Sequence, residues 1–367
     1  MAGTVLRTRA LNRATLDRQL LLSRTELPVA DVVTHLVGLQ AQTTHTWYLG
    51  LENRIEGLDP HRVGRMLTDG ELVRVTLMRG TLHLVTPRDC RFLRPTVQPA
   101  IDRGFSGSRH GQATRGMDLD AVARAGYDLL IARPMTPNDL AGHLAERWPR
   151  VGGEHLAQAV KDRLPLVQIP PRGVWGATGA PAFAPADTWT GLAMDADPDP
   201  EGLVLRYLAA FGPASVKDMQ AWSSLTRFKP VFDGLRDRLV ELRAEDGTVL
   251  FDLPDAPRPD EDTEAPVRFL YDFDNVLRGH ADRSRVLPHE HRARLVSRNG
   301  MPPGTVLVDG FVRASWKVVR ARGAEPHLEV SLFEPITAAD REAVAAEGER
   351  TLAFLEPGGH GIRFVEP

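Results

Sequence analysis

The sequence predicts an α+β fold in which three tandem helix–helix–hairpin units are followed by an appended sheet-and-helix region. Three observations carry that prediction. A short motif recurs as Pro28-Val-Ala-Asp31-Val-Val-Thr-His35-Leu36, Thr136-Pro-Asn-Asp139-Leu-Ala-Gly-His143-Leu144 and Ser215-Val-Lys-Asp218-Met-Gln-Ala-Trp222. Each copy is followed by a second helical stretch and then by two β-rich runs around a turn. Beyond residue 265 that order gives way to strands and one final helix. Helix, helix and hairpin in succession is the layout of a winged helix-turn-helix.

Each element has a local reason. Thr136 and Ser215 suit a helix N-cap, and an acidic residue three positions later favours the positive end of the helix. The first copy has Pro28 in the equivalent place, which suits a first helical turn. In the first unit, Pro60 to Leu67 reads as the second helix, and Leu72 to Val85 as two strands around Gly80. In the second, Glu154 to Leu164 is followed by Leu166-Val-Gln-Ile, a Pro-Pro-Arg-Gly turn and a strand at Val174-Trp175. In the third, Arg227 to Leu239 precedes two strands joined through Asp246-Gly247. Asp195 to Glu201 and Pro254 to Glu264 read as linkers. The resulting boundaries are 1–115, 116–195, 196–264 and 265–367. In the last region Asp309-Gly310 centres a hairpin, His327 to Phe333 adds a strand, and Thr337 to Phe354 has helical spacing.

Composition narrows the function classes. A chain of 367 residues, 42% hydrophobic, has length for roughly two to four structural units and a sizeable core. Cys90 is the lone cysteine, so no internal disulfide forms. No apolar run approaches the roughly 20 residues needed to span a bilayer, and Met1 to Arg7 lacks a signal-peptide core. These features lead to the expectation of a cytoplasmic protein with no membrane partner. The net charge of −3 hides a segregation: residues 1–115 hold 16 Arg against 10 Asp and Glu, a net of +6, leaving −9 for the rest. Such asymmetry permits a phosphate-facing surface in the amino-terminal third.

Most enzyme signatures are missing. There is no Gly-x-x-x-x-Gly-Lys loop, no Gly-x-Gly-x-x-Gly after a strand and no Gly-x-Ser-x-Gly elbow. His289-Glu290-His291, with His280 and Asp282 nearby, makes a poor zinc pattern and reads as a solvated polar loop. No metal or cofactor is expected. The feature that breaks the repeat is Val37-Gly38-Leu39-Gln40-Ala41-Gln42-Thr43-Thr44-His45, because the equivalent stretches of the other units carry no paired amides. On a continuous helix Gln40 and Gln42 would lie about 200° apart, so both face one site only if the helix ends there.

Leu39-Gln40-Ala41-Gln42, Met78-Arg79-Gly80-Thr81-Leu82-His83-Leu84-Val85, Tyr271-Asp272-Phe273-Asp274-Asn275 leading to Asp282-Arg283-Ser284-Arg285, and Val308-Asp309-Gly310 with Trp316 together resemble the AlkZ-type winged-helix DNA glycosylases. That family removes alkylated bases, unhooks interstrand cross-links and serves azinomycin resistance. The resemblance runs from about residue 10 to 360, with the motifs in the family's order. It implies that Gln40 and Gln42 are the catalytic pair, that the tandem winged helices form a concave DNA-binding surface, and that a β-hairpin probes the duplex near the site. The family has an apolar residue between the glutamines; here it is only Ala41.

The chemistry fits such a pair. A carboxamide is a poor general base, but a purine alkylated at ring nitrogen is cationic and leaves as a neutral base. The barrier then lies in the sugar's oxocarbenium character, which an oriented water and a well-placed dipole both lower. Gln42 is expected to position the water and Gln40 to support it or the sugar. Candidates for DNA contact are Arg79, Thr81 and His83 on the first wing and Arg313, Trp316 and Lys317 on the later hairpin. Sheet packing is the other reading of Trp316. The expected function is hydrolysis of the N-glycosidic bond in N7-alkylpurines, including cross-links, by a monomer acting on damaged double-stranded DNA at the nucleoid. The competing readings are a non-enzymatic winged-helix transcriptional regulator and a protein that sequesters the alkylating toxin.

Overall fold

The helix starts that the repeats predict are set by local caps. In the computed structural model, which describes residues 5–296, 301–320, 323 and 325–367, helix Pro137–Arg147 begins with the Thr136 hydroxyl accepting from the Asp139 backbone N–H at 3.2 Å. Helix Val216–Ser223 carries the reciprocal form: Ser215 Oγ accepts from Asp218 N at 3.2 Å, and the Asp218 carboxylate accepts from Ser215 N at 2.9 Å. Helix Val29–His35 starts after Pro28 without a side-chain cap. The second helices are Pro60–Thr68, Gly153–Arg163 and Lys229–Gly234. The last is shorter than Arg227 to Leu239, ending at Gly234 before a separate 3-10 turn, Arg236–Arg238.

Three sheets follow. The central one runs Leu39–Gln40, Leu82–Val85, Val73–Thr76, Leu166–Ile169, Ala182–Pro185, antiparallel throughout. The hairpins of the first two repeats therefore share one sheet, with Arg74 opposite Gln168 and Val75 opposite Val167. The third hairpin, Val240–Ala244 with Val249–Asp252, pairs in parallel with the amino-terminal strand Val5–Leu6. The carboxy-terminal sheet has the order Ile362–Val365, His327–Leu332, Phe311–Val319, Gly304–Val308, Arg268–Leu270, beside helix Ala338–Leu355. Its hairpin turns at Asp309 and Gly310, with φ of +48° and +81°.

Two expectations are corrected. Val174-Trp175 is not a strand: the partner of Leu166–Ile169 is Ala182–Pro185, and residues 170–181 form a loop. Pro170 and Pro171 lack ladder donors, Gly173 and Gly176 turn the chain at φ +94° and +71°, and the Trp175 N–H is taken by the Tyr48 hydroxyl at 3.0 Å. Nor are His280 and His291 solvated. Both are buried, His280 Nε2 lying 2.8 Å from the Phe211 carbonyl and His291 packing on Phe333.

Part of the arginine content lies in the core. One cluster joins Val75 and Leu93 to Tyr207, Phe211, Trp222 and Phe251, tying the first hairpin to the third repeat. Arg13, Arg18, Arg54, Arg74 and Arg94 are fully buried. Arg18 pairs with buried Asp252 at 2.6 Å, and Arg54 grips buried Asp274 with both terminal nitrogens at 2.8 and 2.9 Å. Arg7 reaches Glu261, Arg9 and Arg13 reach Asp309, and Arg24 reaches Glu347. The amino-terminal positive charge is thus partly matched inside the fold by later carboxylates rather than turned wholly outward.

Candidate active site

Gln40 ends a two-residue strand, Leu39–Gln40, and Gln42 lies just beyond it. Helix Val29–His35 stops because Val37 and Gly38 take φ of +55° and +87°. A Cβ on Gly38 would sit 2.7 Å from Val85 Cγ1 and 2.9 Å from the Leu84 carbonyl, so only glycine fits. The chain then extends: Leu39 pairs with Leu84 and Gln40 with His83, and Ala41 N donates to Leu82 O at 2.7 Å. Side chains of extended backbone alternate with period two. Leu39 and Ala41 enter a core with Val32, Leu36 and Trp47, while Gln40 and Gln42 gather at the Met78–Leu82 turn. Gln40 Oε1 accepts from Arg79 Nη2 at 2.9 Å, and Gln42 Oε1 accepts from Leu82 N at 3.1 Å. The helix ends before the pair, as the two-faced spacing required.

Gln40 is 4% exposed, whereas Gln42 is exposed. Arg79, at φ +59°, also donates to the Trp222 carbonyl at 2.6 Å. Burial, helped by Arg278, pushes the Arg79 guanidinium down to about 10, so it stays charged at neutral pH. His83 Nδ1 lies 2.9 Å from the Thr81 carbonyl and so carries the proton; bare Nε2 faces Arg79 Nη2 at 3.4 Å. Burial and the Arg79 charge push His83 down to about 3, which keeps it neutral.

Groups from far along the chain hold this strand. The Tyr271 hydroxyl donates to the Gln40 carbonyl at 3.0 Å, Asn275 Nδ2 to the Gly38 carbonyl at 2.9 Å, and Arg74 Nη2 to the Ala41 carbonyl at 2.7 Å. Sequence reasoning gave Tyr271, Asn275 and Arg74 no individual role. The signal for the first two was the Tyr271-to-Asn275 motif itself. Gln42 also borders a polar cavity of about 280 Å³ with Leu82, Asp162 and three basic residues, Arg74, Lys161 and Arg172, whose approach depends on the pairing of the first two hairpins.

The remaining candidates are scattered. Thr81 is half-buried and its hydroxyl donates back to the Met78 carbonyl at 3.1 Å. His83 is 1% exposed, so in this arrangement it bears on the site through Arg79 and not by touching a duplex. On strand Phe311–Val319, Arg313 pairs with Glu334 and exposed Lys317 with Glu329 at 2.7 Å. Trp316 packs edge-on against Phe269 and donates Nε1–H to the Leu270 carbonyl at 2.9 Å, as sheet packing requires.

A family model described as DNA glycosylase AlkZ-like matches residues 33–354. The chain belongs to the AlkZ-like DNA glycosylase family. As an AlkZ-like protein it is a DNA glycosylase, an enzyme and not the regulator of the competing reading. It is 27% identical over 354 residues to an interstrand DNA cross-link repair glycosylase of Streptomyces sahachiroi, covering 89% of this chain and 92% of that relative. The solved structure of Streptomyces sahachiroi DNA glycosylase AlkZ superposes with a TM-score of 0.81 at 23% identity, covering all of both chains, which shows a shared α+β fold. Among the described residues no helix is long and apolar enough to cross a membrane, and no three His, Cys, Asp or Glu side chains converge as a metal-holding group.

Proposed function

We propose that the protein hydrolyses the N-glycosidic bond of cationic N7-alkylpurines, including those joined in interstrand cross-links, with Gln40 and Gln42 as the catalytic residues. The observation that carries this reading is the placement of both carboxamides at one turn, each with its oxygen already accepting one bond from the protein. Each amide keeps one oxygen lone pair and its N–H donors for substrate. Gln42, the exposed member, orients the attacking water through that lone pair. Buried Gln40, polarised by the Arg79 cation, supports the sugar. Neither residue needs to remove a proton early: the C1′–N bonding pair neutralises the leaving base, and the water, once bonded to C1′, loses its proton to solvent.

Residues 1–115, 116–195 and 196–264 act as three winged helix-turn-helix units with 265–367 appended, and they present a concave face to damaged double-stranded DNA. The repeated order of two helices and a strand pair supports this reading. The enzyme acts as a monomer in the cytoplasm, at the nucleoid. The cross-link repair activity in the name of the Streptomyces sahachiroi relative supports the wider substrate range. An open face suits it, because a base tethered to the opposite strand cannot swing into a closed pocket.

The test is base release from duplex DNA bearing one N7-methylguanine or one nitrogen-linked cross-link, read after chemical cleavage of abasic sites. Excision is expected with the parental protein and is lost in the Gln40→Ala, Gln42→Ala double variant while salt-sensitive DNA binding persists. Release no greater than the protein-free control, at enzyme excess, overturns the substrate assignment. A double variant that excises at the parental rate overturns the site.

A further inference from the structure

The polar cavity of about 280 Å³ beside Gln42 is built from the first two repeats together. The first supplies Gln42 and the Gly80 and Leu82 turn; the second supplies Lys161 and Asp162 from helix Gly153–Arg163, and Arg172 from the loop after Ile169. Arg74 and Gln168, opposite each other where the two hairpins pair, line it as well. A residue of the proposed catalytic pair thus shares a space with the second helix of a different repeat.

Three basic residues stand there against one carboxylate, and that carboxylate is already engaged: both Asp162 oxygens accept from Gln158 Nε2 at 3.0 Å. Lys161 is the unexplained group. It is half-buried, with its ammonium 5.1 Å over the Phe183 ring, and among the described residues it forms no ion pair. Burial pushes its pKa down, with Asp162 opposing. Arg172 donates from Nη1 to the Gly179 carbonyl at 3.0 Å and likewise has no carboxylate partner among the described residues. Arg74 is fully buried and fixed, donating to Gln168 Oε1 at 2.6 Å and to the Ala41 carbonyl at 2.7 Å. Withdrawing cations from water without a counter-charge is costly, and an arriving anion offsets that cost. The cavity therefore repels a cationic purine and attracts an anion. The anion that the substrate carries to Gln42 is its own backbone, because C1′ and the flanking phosphates belong to one nucleotide. An ammonium with three donors suits a phosphate oxygen.

We propose that this cavity seats a phosphodiester adjoining the damaged nucleotide, with the Lys161 ammonium and the Arg172 guanidinium on its oxygens, so that C1′ is delivered to Gln42. The proposal rests on the glycosylase reading above and adds to it a substrate contact from the second repeat. Like charges on the phosphate side hold a cationic base to the other side of its sugar. The backbone is present whatever the base carries, so the grip does not require the base to leave the duplex. Single adducts and cross-linked purines are positioned alike.

The test is single-turnover excision of N7-methylguanine, at subsaturating protein, from duplexes in which one phosphodiester, immediately 5′ or immediately 3′ to the lesion, is an uncharged methylphosphonate. With the parental protein one of the two replacements is expected to slow excision about tenfold, the loss of one charge-assisted contact. Lys161→Met slows excision of unmodified lesion DNA by a similar factor, lowers the salt slope of binding by about one, and loses nothing further on the sensitive methylphosphonate. Lys161→Arg, which keeps the charge, recovers most of the rate. Two insensitive linkages, a Lys161→Met protein at the parental rate, or losses from variant and methylphosphonate that multiply overturn the proposal. The linkage comparison uses the parental protein alone, so it stands whether or not the variant folds. No excision of unmodified lesion DNA overturns the glycosylase reading instead; the same comparisons are then read as duplex affinity, where two insensitive linkages overturn the cavity.

Discussion

Arg79→Met tests whether the guanidinium is a positioning residue for Gln40. The side chain donates one bond to Gln40 Oε1 at 2.9 Å and another to the Trp222 carbonyl at 2.6 Å. Methionine fills similar volume but donates neither, so the Gln40 carboxamide is released to rotate. A hydrogen bond to a charged group contributes about 1.5–3 kcal/mol. If most of it fixes Gln40 in the geometry used at the transition state, the single-turnover rate at saturating enzyme falls about ten- to hundredfold, since about 1.4 kcal/mol is a tenfold change. DNA affinity and its salt dependence should remain near parental, because the guanidinium is directed inward. Arg79→Lys keeps the charge but cannot bridge two acceptors and should recover only part of the rate. A Met variant with parental maximal rate and weakened binding, its salt slope reduced by about one, would show that Arg79 contacts phosphate instead.

Other perturbations separate packing from chemistry. Gly38→Ala combines positive φ with contacts of 2.7 and 2.9 Å, so urea unfolding should show a loss of about 2–5 kcal/mol. Arg54→Met strands the buried Asp274 carboxylate and should cost about 3–5 kcal/mol by the same assay; a change under about 1 kcal/mol would mean the pair is easily replaced by solvent. His83 titrates at about 3 in the fold against about 6.5 when unfolded. The unfolded chain therefore takes up the proton first, and His83 lowers stability as pH falls from about 6.5 towards 3, by about 1.4 kcal/mol per unit; His83→Gln should flatten that slope. Single-turnover excision of a permanently cationic lesion should be level across about pH 6–8, because carboxamides do not titrate. A rate that climbs with one ionisation in that window would point to a base other than the glutamines.

What was readable in the sequence was local. Ser215 and Asp218 announce a helix start because cap and partner lie within one turn, and Asp309-Gly310 announces a hairpin because its φ values of +48° and +81° suit those residues. The glutamines stood out because nothing like them follows the other two motifs, and Gly38 pointed to the break that lets them share a face. Pairings between distant segments were not readable. Nothing near Val73 specifies Leu166–Ile169 as a neighbour, and Trp175 reads as strand until Tyr48 and the flanking glycines take it out of the ladder. Arginine is ambiguous for a related reason: Arg18 and Arg54 look like surface charge until Asp252 and Asp274, more than 200 positions later, are placed against them.

The grip of Tyr271 and Asn275 on the strand carrying Gln40 bears on how the enzyme is made. Chains fold as they leave the ribosome, amino-terminal parts first, yet here the strand that carries Gln40 emerges early and its two clamps emerge only after roughly 230 further residues. Until then Arg54 also lacks Asp274. A nascent chain therefore holds both glutamines before the groups that fix their strand, and the site proposed above is completed only once most of the length has been synthesised. A fragment ending before residue 271 should be inert for the same reason, however complete its copy of the Gln40-Ala41-Gln42 motif.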